Sequence, residues 1–562
     1  MVLIMKKINE KKEKNWLIKS TDSPEYDAAI SEIALALGIN PIVAKLLYNR
    51  GYTTVETAKA FMYMESEMLV DPFLMKDIVN AIDGIWAAIE KGHKITVYGD
   101  YDVDGVTSVC TLYLYLKALG ADVDYYIPNR AGEGYGVSPA AIDAIKENGT
   151  KLIVTVDTGT TAVEEVEYAK SLGIDFIITD HHECRSDLPN ALAVINPHRP
   201  DCEYPFKELA GGGVVFKLIC AYEERILGRK RKDAAIEIFS RFADLVAIGT
   251  IADVMPIKEE NRIIVKYGLS MIEKTDRIGL SALIEAASAR NDAQRSVQRK
   301  KKTKITSGYI GYTLAPRINA AGRIKTASLA VELFLANDRT RAMEIAEELC
   351  RTNKERQAEE NKIMHEAYEK IEKYDIEKNP VIVLDADNWH HGVIGIVASR
   401  ITEKYNLPAI LVSFKNEGHE MAENLGKGSG RSIRGFNIVE ALSKSSDTLL
   451  KYGGHELAAG MSVDREHFDE FKKRMNEYAK EAFSKISIER SLDVDCEVFA
   501  DEITVDTVNE ISMLEPFGLS NPVPIFYTRN FCVSSIISIG DNKHTKSSLS
   551  LLKVMPNEMR KC

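Results

Sequence analysis

The fold is decided by residues 96–108, which read TVYGDYDVDGVTS. A β-type apolar run leads into three acids at every second position, Asp100, Asp102 and Asp104, and a helical pattern follows Gly105. Alternate residues of an extended chain point to one side, so we expect the three carboxylates to converge where the strand gives way to the helix. Carboxylates that lie close together repel one another, and the usual remedy is a divalent cation.

Two other interpretations of these acids remain open at this point. A solvated acidic turn would need no ion at all. An EF-hand loop also carries acids at alternate positions, but the glutamate that closes such a loop is missing and a strand precedes the acids. The remainder of the chain has to decide among the three.

Composition limits the class of protein. The 562 residues correspond to three or four domains at ~150 residues each. The 83 acidic and 72 basic residues give a net charge of -11, so any binding to nucleic acid has to use local basic patches. The 8 cysteines include no CxxC pair, which indicates reduced thiols. Because the N-terminus lacks a signal-type apolar core and no apolar run reaches ~18 residues, we predict a cytoplasmic protein without a membrane span.

The organisation of the chain changes near residue 94. Residues 25–65 have helical spacing, which predicts two short helices within a small helical leader at residues 1–75. Beyond it, strand-like and helical stretches alternate, which is typical of βαβ units and a parallel sheet. The predicted strands are 95–99, 123–128, 151–157, 175–180 and 191–197.

Further acids and two histidines stand at the ends of these strands. Asp157 ends the third predicted strand, and Asp180 ends the fourth, followed at once by His181 and His182. Ligands of open α/β sheets lie at the carboxyl ends of the strands. A single strand-end aspartate is most often a helix cap, but three such strand ends with imidazoles beside them are hard to explain as caps.

A further acid, Asp253, interrupts an apolar helical run between Leu245 and Pro256. A carboxylate in such a stretch is costly unless it binds an ion or pairs, although it could also be a satisfied buried cap of the next turn. Carboxylates with one or two imidazoles suit Mn²⁺ or Mg²⁺ better than a structural zinc. With six or more candidate ligands, two ions fit better than one.

Four motifs, GDYDVDG, VDTG, TDHHE and IADVMP, resemble in that order the motifs of the DHH phosphoesterase superfamily. Some phosphatases of that superfamily carry a histidine near the position of Tyr98, and its absence here points toward the nuclease branch. The resemblance implies one ion held by Asp104, Asp157, His181 and Asp253, and a second held by Asp100 and Asp102 with Asp157 as the bridge. It also implies catalytic roles for Asp157, Asp180 and His182, the last facing the scissile phosphate or a bridging water.

Beyond the fourth motif, the chain has features suited to single-stranded nucleic acid. Residues 295–304 are the densest basic run, which could equally be a solvated face. Residues 315–323, APRINAAGR, resemble the RecJ family of nucleases and not the small DHH phosphatases. Basic side chains interleaved with aromatic ones suit a single strand, because the basic groups can follow its backbone and the aromatic rings can stack on its nucleobases. The candidate contacts are Arg317, Asn319 and Arg323.

A long exposed helix leads to residues 426–438, GKGSGRSIRGFNI, and to the later KYGGH, which together resemble the motifs of a DHHA1 domain. Gly392 and Gly395 stand at a loop-to-helix junction, where backbone N–H groups can take an anion. Residues 426–438 are predicted to form a glycine-rich loop. The resemblance implies a cleft between the lobes through which one strand passes, and a 5′-phosphate pocket at Arg130, Ser429 and Arg431. The further candidate substrate contacts in this lobe are Arg434 and His455.

Residues 514–526, LEPFGLSNPVPIF, and the later DNKHTK resemble the oligonucleotide-binding (OB) barrel of the RecJ family. Its alternating strands are expected to stop after residue 544, which would leave the barrel incomplete. The predicted fold class is thus α/β: a parallel-sheet DHH domain, a connecting helix, a smaller α/β DHHA1 domain and an OB barrel. The predicted domains are 1–75, 76–335, 336–375, 376–470 and 471–562.

The resemblance implies a RecJ-like exonuclease for single-stranded DNA that works 5′ to 3′ with two Mn²⁺ or Mg²⁺ ions in DNA repair and recombination. Its expected partners are single-stranded DNA, a single-strand-binding protein and a RecQ-type helicase, with the chain itself a monomer. Two alternatives stay open: a nanoRNase-like phosphatase of short oligonucleotides, and a non-catalytic DHH scaffold in replication.

Overall fold

The structure, a computed structural model, describes residues 15–21, 23–129, 133, 136–292, 304–414, 424–485, 491–529, 531–539 and 544–551. The chain divides into two compact units. One consists of residues 65–489, and the other joins residues 1–64 to residues 490–562.

The N-terminal segment contains one short strand and three helices. Ser23 begins the first helix by accepting a hydrogen bond from the backbone N–H of Tyr26. The two predicted helices are present, and a third helix follows them. No single helix in the described ranges is long and apolar enough to cross a membrane, although one bent pair, Pro24–Leu37 with Pro41–Asn49, has that combined length and composition. The elements are β1 Asn15–Ile18, α1 Pro24–Leu37, α2 Pro41–Asn49 and α3 Val55–Met62.

A five-stranded parallel sheet organises residues 65–335, and all five predicted strands are present. The strands are β2 Ile95–Gly99, β3 Val123–Tyr126, β4 Leu152–Val156, β5 Asp175–Thr179 and β6 Ala193–Ile195. Their order is β3-β2-β4-β5-β6, and every pair is parallel. The chain moves from β2 to one side and then returns to place β4 on the other side. The boundary between β2 and β4 is therefore a topological switch point, where ligands of such sheets bind.

Helices cover both faces of this sheet, as its buried central strands require. Two of them, α6 and α7, pack on one face, where Ile142 and Val166 meet Ile153 and Phe176. Others, including α5 and α8, contact the opposite face. The helices are α4 Ile78–Glu90, α5 Val103–Ala118, α6 Pro139–Glu147, α7 Val163–Ser171, α8 Gly211–Arg225, α9 Arg231–Ala252, α10 Glu259–Glu273 and α11 Ile278–Asp292.

A π-helical turn, Ile310–Leu314, separates two helices in the segment that carries APRINAAGR. The predicted connecting helix is present as α15, but it is more than a solvated linker. Its residues Ile363, Ala367 and Ile371 belong to the core of the following domain. The elements are α12 Ser307–Tyr309, α13 Ala315–Ile324, α14 Ser328–Leu335 and α15 Arg339–Glu372.

The DHHA1-like region is a five-stranded mixed sheet in the order β10-β11-β9-β8-β7, in which only β7 and β8 are parallel. Alternate strand residues face opposite layers: Val383 meets α17 and α18, whereas Ile382 meets α15 and α16. The strands are β7 Ile382–Ala386, β8 Ala409–Ser413, β9 Leu425–Arg431, β10 Lys451–His455 and β11 Ala458–Asp464. The helices are α16 His391–Tyr405, α17 Ile438–Ser443 and α18 Phe468–Phe483.

The prediction of a glycine-rich loop at residues 426–438 is wrong for its first half, because residues up to Arg431 form the central strand β9. Its glycines serve packing. A Cβ at Gly428 would lie 2.4 Å from the sulfur of Met461, and a Cβ at Gly430 would lie 2.6 Å from Cδ1 of Ile438. Side chains from neighbouring elements therefore occupy the space above these glycines.

The C-terminal region forms short strand pairs, and its described residues do not close into a barrel. The strand β1 pairs in parallel with β12, β13 with β14, and β15 forms an antiparallel hairpin with β16. The expectation that strands stop after residue 544 is wrong, because β16 begins there and continues to Leu551. The elements are β12 Ser491–Val494, β13 Cys496–Glu497, α19 Val505–Ser512, β14 Phe526–Tyr527, β15 Phe531–Ile539 and β16 His544–Leu551.

A buried charge group attaches α15 to α16. Glu360, which is 2% exposed, pairs with Arg356 of its own helix and with Arg400 Nε of α16 at 2.5 Å. Arg356 also donates to Asn353 at 2.8 Å. Among the described residues, Glu360 is the carboxylate that pairs with Arg356, and this arginine is itself 8% exposed.

Replacing Glu360 with alanine should lower the free energy of unfolding by about 3 kcal/mol, because it leaves the buried Arg356 charge uncompensated. Urea denaturation would measure this change. Glu355→Ala, an exposed position on the same helix, is the matched control and should change stability by less than ~0.5 kcal/mol. Equal effects of the two substitutions would show that the buried group does not stabilise the junction.

Candidate metal centre

The predicted acids and histidines meet at the switch point of the parallel sheet. Asp100 directly follows β2, Asp157 follows β4, and Asp180 follows β5. Asp253 is the C-cap of α9. Strand and helix ends from four separate segments are thus brought to one edge of the sheet.

Asp104 is fixed by the backbone of a helix start. Its two oxygens accept hydrogen bonds from the N–H groups of Gly211 at 2.7 Å and Gly212 at 3.1 Å, in the first turn of α8. A Cβ at Gly249 of α9 would lie 2.3 Å from Oδ1 of Asp104. The neighbouring Asp102 caps α5 by accepting the N–H of Gly105 at 3.0 Å. Helices α5, α8 and α9 therefore meet at backbone distance around one carboxylate.

Two residues of the site have left-handed backbone conformations that side chains rarely adopt. The φ angle of Asp157 is 61°, and that of Val254, directly after Asp253, is 59°. For a β-branched residue this conformation is a true outlier. Val254 is also 63% exposed, so burial of its side chain does not offset the strain. Such strain persists where the surrounding structure demands it, most often at functional sites.

The ligand atoms of the predicted metal residues fall into groups that are connected through Asp157 and His181. Potential ligand atoms of Asp100, Asp102 and Asp157 all lie within 4.8 Å of one another. The same limit holds for Asp104, His181 and Asp253, and also for Asp157, His181 and His182. His181 Nε2 lies 3.0 Å from Asp157 Oδ1, which joins the first two groups. The structure thus brings together all six predicted ligands.

The buried carboxylates of this cluster repel one another, and a bound cation would offset that repulsion. Burial and the charges of Asp104 and Asp102 raise the pKa of Asp157 well above its usual value. Burial and neighbouring acids raise the pKa of Asp104 to about 7 and that of Asp253 to about 8. Asp157 Oδ1 and His181 Nε2 are both buried, and although they lie 3.0 Å apart, neither atom has a hydrogen bond among the described residues. A divalent ion would satisfy both atoms and reverse the repulsion, so the residues fit the two ions expected from the sequence.

The histidine pair is divided into two roles. Burial and the charge of His182 lower the pKa of His181 to about 4, which leaves a neutral imidazole suited to metal binding. Burial alone would lower the pKa of His182, but the hydrogen bond from its Nδ1 to Asp180 at 2.7 Å and the charge of Asp180 raise it to about 9. His182 therefore carries a proton directed at Asp180.

Asp180 does not belong to the metal groups. Its Oδ1 accepts from the N–H groups of His181 and His182, and its Oδ2 accepts from the N–H of Thr160 at 2.9 Å. Burial alone would raise the pKa of Asp180, but the hydrogen bond from the His182 ring, the charge of His182 and the N–H of Thr160 hold it well below its usual value. The structure places Asp180 as the residue that orients His182.

Several supporting residues were not anticipated from the sequence. Gly211 and Gly212 lie against Asp157 and Asp104, and the GGG run at the start of an apolar helix was the signal that could have found them. Asn196, just after β6, donates to Thr160 Oγ1 at 2.9 Å and to the carbonyl of His182 at 2.8 Å. No pattern in the sequence marks it.

Tyr98, which occupies the position near which some related phosphatases have a histidine, faces away from the metal groups. Its hydroxyl donates to the carbonyl of Gly136 at 2.9 Å, and its ring stacks on Tyr126. Tyr126 in turn donates to Glu133 at 2.9 Å. These contacts attach the glycine-containing segment after β3 to the central strand. Arg130, predicted from that segment, lies outside the described residues.

The APRINAAGR residues lie on α13. Arg317 donates to the carbonyl of Thr313, and Arg323 donates to the carbonyl of Gly392 at 3.0 Å. Asn319, which lies between them in the sequence, is partly buried. Of the basic run at 295–304, only Lys304 lies within the described residues, and it is exposed.

The remaining predicted contacts lie in the second lobe. Ser429 and Arg431 are neighbours on β9, with Arg431 donating to Ser429 Oγ at 3.2 Å. They face Gly395 in the first turns of α16. Arg434 is exposed in the turn after β9, and His455 is exposed at the end of β10. The structure therefore groups Ser429 with Arg431, and no described contact joins Arg434 or His455 to that pair.

Comparison with known families gives three matches. Residues 94–250 match the DHH family N-terminal domain, residues 378–481 the DHHA1 domain, and residues 494–555 the RecJ OB domain. A parallel sheet with this cluster at its switch point, followed by a DHHA1 domain, defines the architecture of DHH phosphoesterases.

Known relatives are more specific. The single-stranded-DNA-specific exonuclease RecJ of Bacillus subtilis (strain 168) is 40% identical over 535 residues, which cover 95% of this chain and 64% of the relative. The protein of the same name from Salmonella typhimurium is 34% identical, with 88% of this chain and 84% of the relative covered. The chain belongs to the RecJ family. The family and the α/β architecture predicted from the sequence are confirmed.

Solved structures agree with this placement. The crystal structure of RecJ in complex with Mn²⁺ from Thermus thermophilus matches with a TM-score of 0.77 at 31% identity, over 95% of this chain and 72% of that one. The Mg²⁺ complex of RecJ from the same organism matches with a TM-score of 0.72 at 29% identity, over 95% and 71%. Both ions are those that the carboxylate and imidazole cluster favours.

Mn²⁺ should raise the midpoint of thermal unfolding, and more so at about pH 8 than at about pH 6. The raised pKa values of Asp104 and Asp253 mean that the metal-free protein loses stability as pH rises from about 4 through about 8. Ion binding needs the deprotonated ligands and relieves that loss. Differential scanning fluorimetry with and without a chelator measures the effect. A shift that is smaller at the higher pH would refute this account of the cluster.

Gly211→Ala should weaken Mn²⁺ binding by about tenfold or more. The added Cβ would lie 2.6 Å from the Cβ of Asp157. Either Asp157 or the start of α8, whose N–H groups donate to Asp104, must therefore shift. Gly213→Ala in the same turn is the control, because its nearest neighbour is the flexible Leu209 side chain at 3.2 Å. Isothermal titration with Mn²⁺ compares the two. Equal affinities would mean that the α8 start does not set the ligand geometry.

Proposed function

We propose that this chain is a divalent-metal-dependent exonuclease that hydrolyses single-stranded DNA from the 5′ end. The observation that carries the proposal is the pair of ligand groups at the sheet's switch point, one containing Asp157 and the other linked to Asp157 through His181. Paired ions about 3.5–4 Å apart are the recurrent device for displacement at phosphorus. Membership of the RecJ family supports DNA as the substrate, and this chain spans 64% of the length of its Bacillus subtilis relative.

The proposed assignment of ligands follows the two groups. Asp104, His181 and Asp253, with Asp157, would hold one Mn²⁺ or Mg²⁺ ion. Asp100 and Asp102, again with Asp157, would hold the other. When bound, the ions supply positive charge that acidifies a water molecule and neutralises charge developing on the phosphate.

The protein side chains would then divide the remaining work. Asp157, held by its left-handed backbone and by contact with Gly211, fixes the position at which the two ligand groups meet. His182, oriented by Asp180, offers a positively charged imidazole to the scissile phosphate or to the departing 3′ oxygen. A new bond forms between water oxygen and phosphorus while the bond from phosphorus to the 3′ oxygen of the first nucleotide breaks. The shortened strand is left with a 5′-phosphate.

That renewed 5′-phosphate needs a receptor, and we assign Ser429 and Arg431 to it. A guanidinium and a hydroxyl beside the start of α16 offer directed donors to an anion. Gly395 leaves room there, since a Cβ at this position would lie 2.9 Å from Ser429 Oγ and 3.2 Å from an Arg431 nitrogen.

The wider setting is part of the same proposal. Strand choice would be steric, because the path between the lobes would admit one strand and not a duplex. A single-strand-binding protein and a helicase would supply unpaired DNA during repair and recombination, and the chain would act as a monomer in the cytoplasm. Buried free thiols such as Cys110 and Cys220 suit a reducing compartment. The phosphatase and scaffold alternatives are not favoured, because the relatives are exonucleases by name and every candidate ligand is present.

With Mn²⁺, the protein should release labelled mononucleotides from 5′-labelled single-stranded DNA and leave blunt duplex almost untouched. Asp157→Asn should slow this release by at least about a hundredfold, because it removes the charge of the carboxylate that is proposed to serve both ions. Asp175→Asn, at the opposite end of the same sheet, is the matched control. Gel assays with 5′- and 3′-labelled strands measure both polarity and rate.

Two results would refute the proposed function. One is equal digestion of duplex and single strand. The other is an Asp157→Asn variant as active as Asp175→Asn.

A further inference from the structure

We propose that Gly322, Arg323 and Gly392 form a rigid spacer that sets the distance between the metal centre and the Ser429–Arg431 pair. This inference rests on the proposed function, which uses both places at once. When the Ser429–Arg431 pair binds the 5′-phosphate, the spacer aligns the first phosphodiester with the metal centre, so that binding leads to hydrolysis. Its residues position the substrate through other groups and do not contact the reacting atoms.

The first contact of the spacer lies at the metal centre. Gly322, near the end of α13, packs against Tyr101, which stands between Asp100 and Asp102. A Cβ at Gly322 would lie 2.6 Å from the carbonyl oxygen of Tyr101. Backbone therefore lies directly on backbone, with no flexible side chain between α13 and the acidic turn.

The second contact crosses to the other lobe. Arg323 donates from Nη1 to the carbonyl of Gly392 at 3.0 Å. A Cβ at Gly392 would lie 2.7 Å from the carbonyl oxygen of Arg323 itself. The hydrogen bond thus keeps Arg323 and Gly392 from moving apart, and the close contact keeps them from moving closer together. The N–H of Gly392 is already donated to Nδ1 of His390 at 3.0 Å, so this glycine is not an anion donor.

The third contact reaches the phosphate receptor. Gly395 follows Gly392 by three residues in α16, which is about 4.5 Å along a helix. It faces Ser429 Oγ and the Arg431 guanidinium at the distances given above. From Tyr101 to Ser429, the steps are a backbone contact at Gly322, the contacts between Arg323 and Gly392, one helical turn, and the approach of Gly395 to the side chains of Ser429 and Arg431.

Such a connection has a specific kinetic consequence. A displacement of about 1 Å between two binding places on one substrate can cost about a hundredfold in rate, because the reacting atoms lose alignment while each place still binds. The spacer should therefore act on kcat for the 5′-phosphorylated strand and leave KM nearly unchanged.

The experiment compares Gly392→Ala with wild type on two substrates, each with Mn²⁺. One is a 5′-phosphorylated single strand, which uses both places. The other is bis(4-nitrophenyl) phosphate, a small diester that uses only the metal centre. We expect kcat on the strand to fall at least about tenfold, with KM within about twofold and hydrolysis of the small diester unchanged.

Gly311→Ala is the matched control. It lies in the same segment as α13, and its Cβ would make an ordinary contact of 3.7 Å with Ile251. It should match wild type on both substrates. If Gly392→Ala does not fold, Arg323→Met tests the same spacer by removing the donor to Gly392, and Arg323→Lys should restore part of the rate.

Three results would overturn the spacer: Gly392→Ala equal to Gly311→Ala, a rise in KM without a fall in kcat, or an equal loss on the small diester. If Gly392→Ala equals Gly311→Ala, the junction does not couple the two places. A rise in KM alone would mean that Gly392 belongs to the phosphate receptor. An equal loss on the small diester would mean that the substitution acts on the metal centre. A wild-type protein that hydrolyses neither substrate would instead refute the proposed function, so the two failures are distinguishable.

Discussion

Two backbone N–H groups at the start of α8 hold the carboxylate of Asp104, and the rest of the catalytic domain depends on that contact. For these groups to reach Asp104, α8 and α9 must approach α5 without side chains at Gly211, Gly212 and Gly249. The same approach places Gly211 against Asp157. One close-packed junction therefore fixes acids from the first two motifs, and α9 ends at Asp253 beside them.

This junction also concentrates negative charge in a buried place. The buried acids raise the pKa of one another, while His181 is kept neutral and His182 is charged but already paired with Asp180. A fold built in this way gains affinity for divalent ions at the expense of its metal-free stability. The two histidines therefore have different surroundings. His181 faces the acids of the ligand groups, whereas His182 is oriented by its hydrogen bond to Asp180.

Much of this architecture follows from the sequence, because strand alternation and strand-end acids depend only on local periodicity. Parallel strands put their carboxyl ends at one edge, so Asp100, Asp157 and His181 could be grouped from their positions along the chain. The division of roles between Asp180 and its histidines could not, since it depends on which way a buried side chain turns. The strand β9 was misjudged because its glycines make room for Met461 and Ile438, contacts that the local sequence does not reveal. The buried Glu360–Arg356 pair could not be predicted for the same reason. A charged residue on a polar helix is expected to face solvent unless the element that packs against it is known.

The strained Val254 has an evolutionary consequence. A valine in the left-handed region costs roughly 1–3 kcal/mol, and a glycine would remove that cost. An exposed side chain beside Asp253 contributes little packing in return. Laboratory evolution that rewards heat resistance alone should therefore discard this valine early, whereas lineages selected for turnover should retain it. The position would then record which of the two pressures a population has experienced.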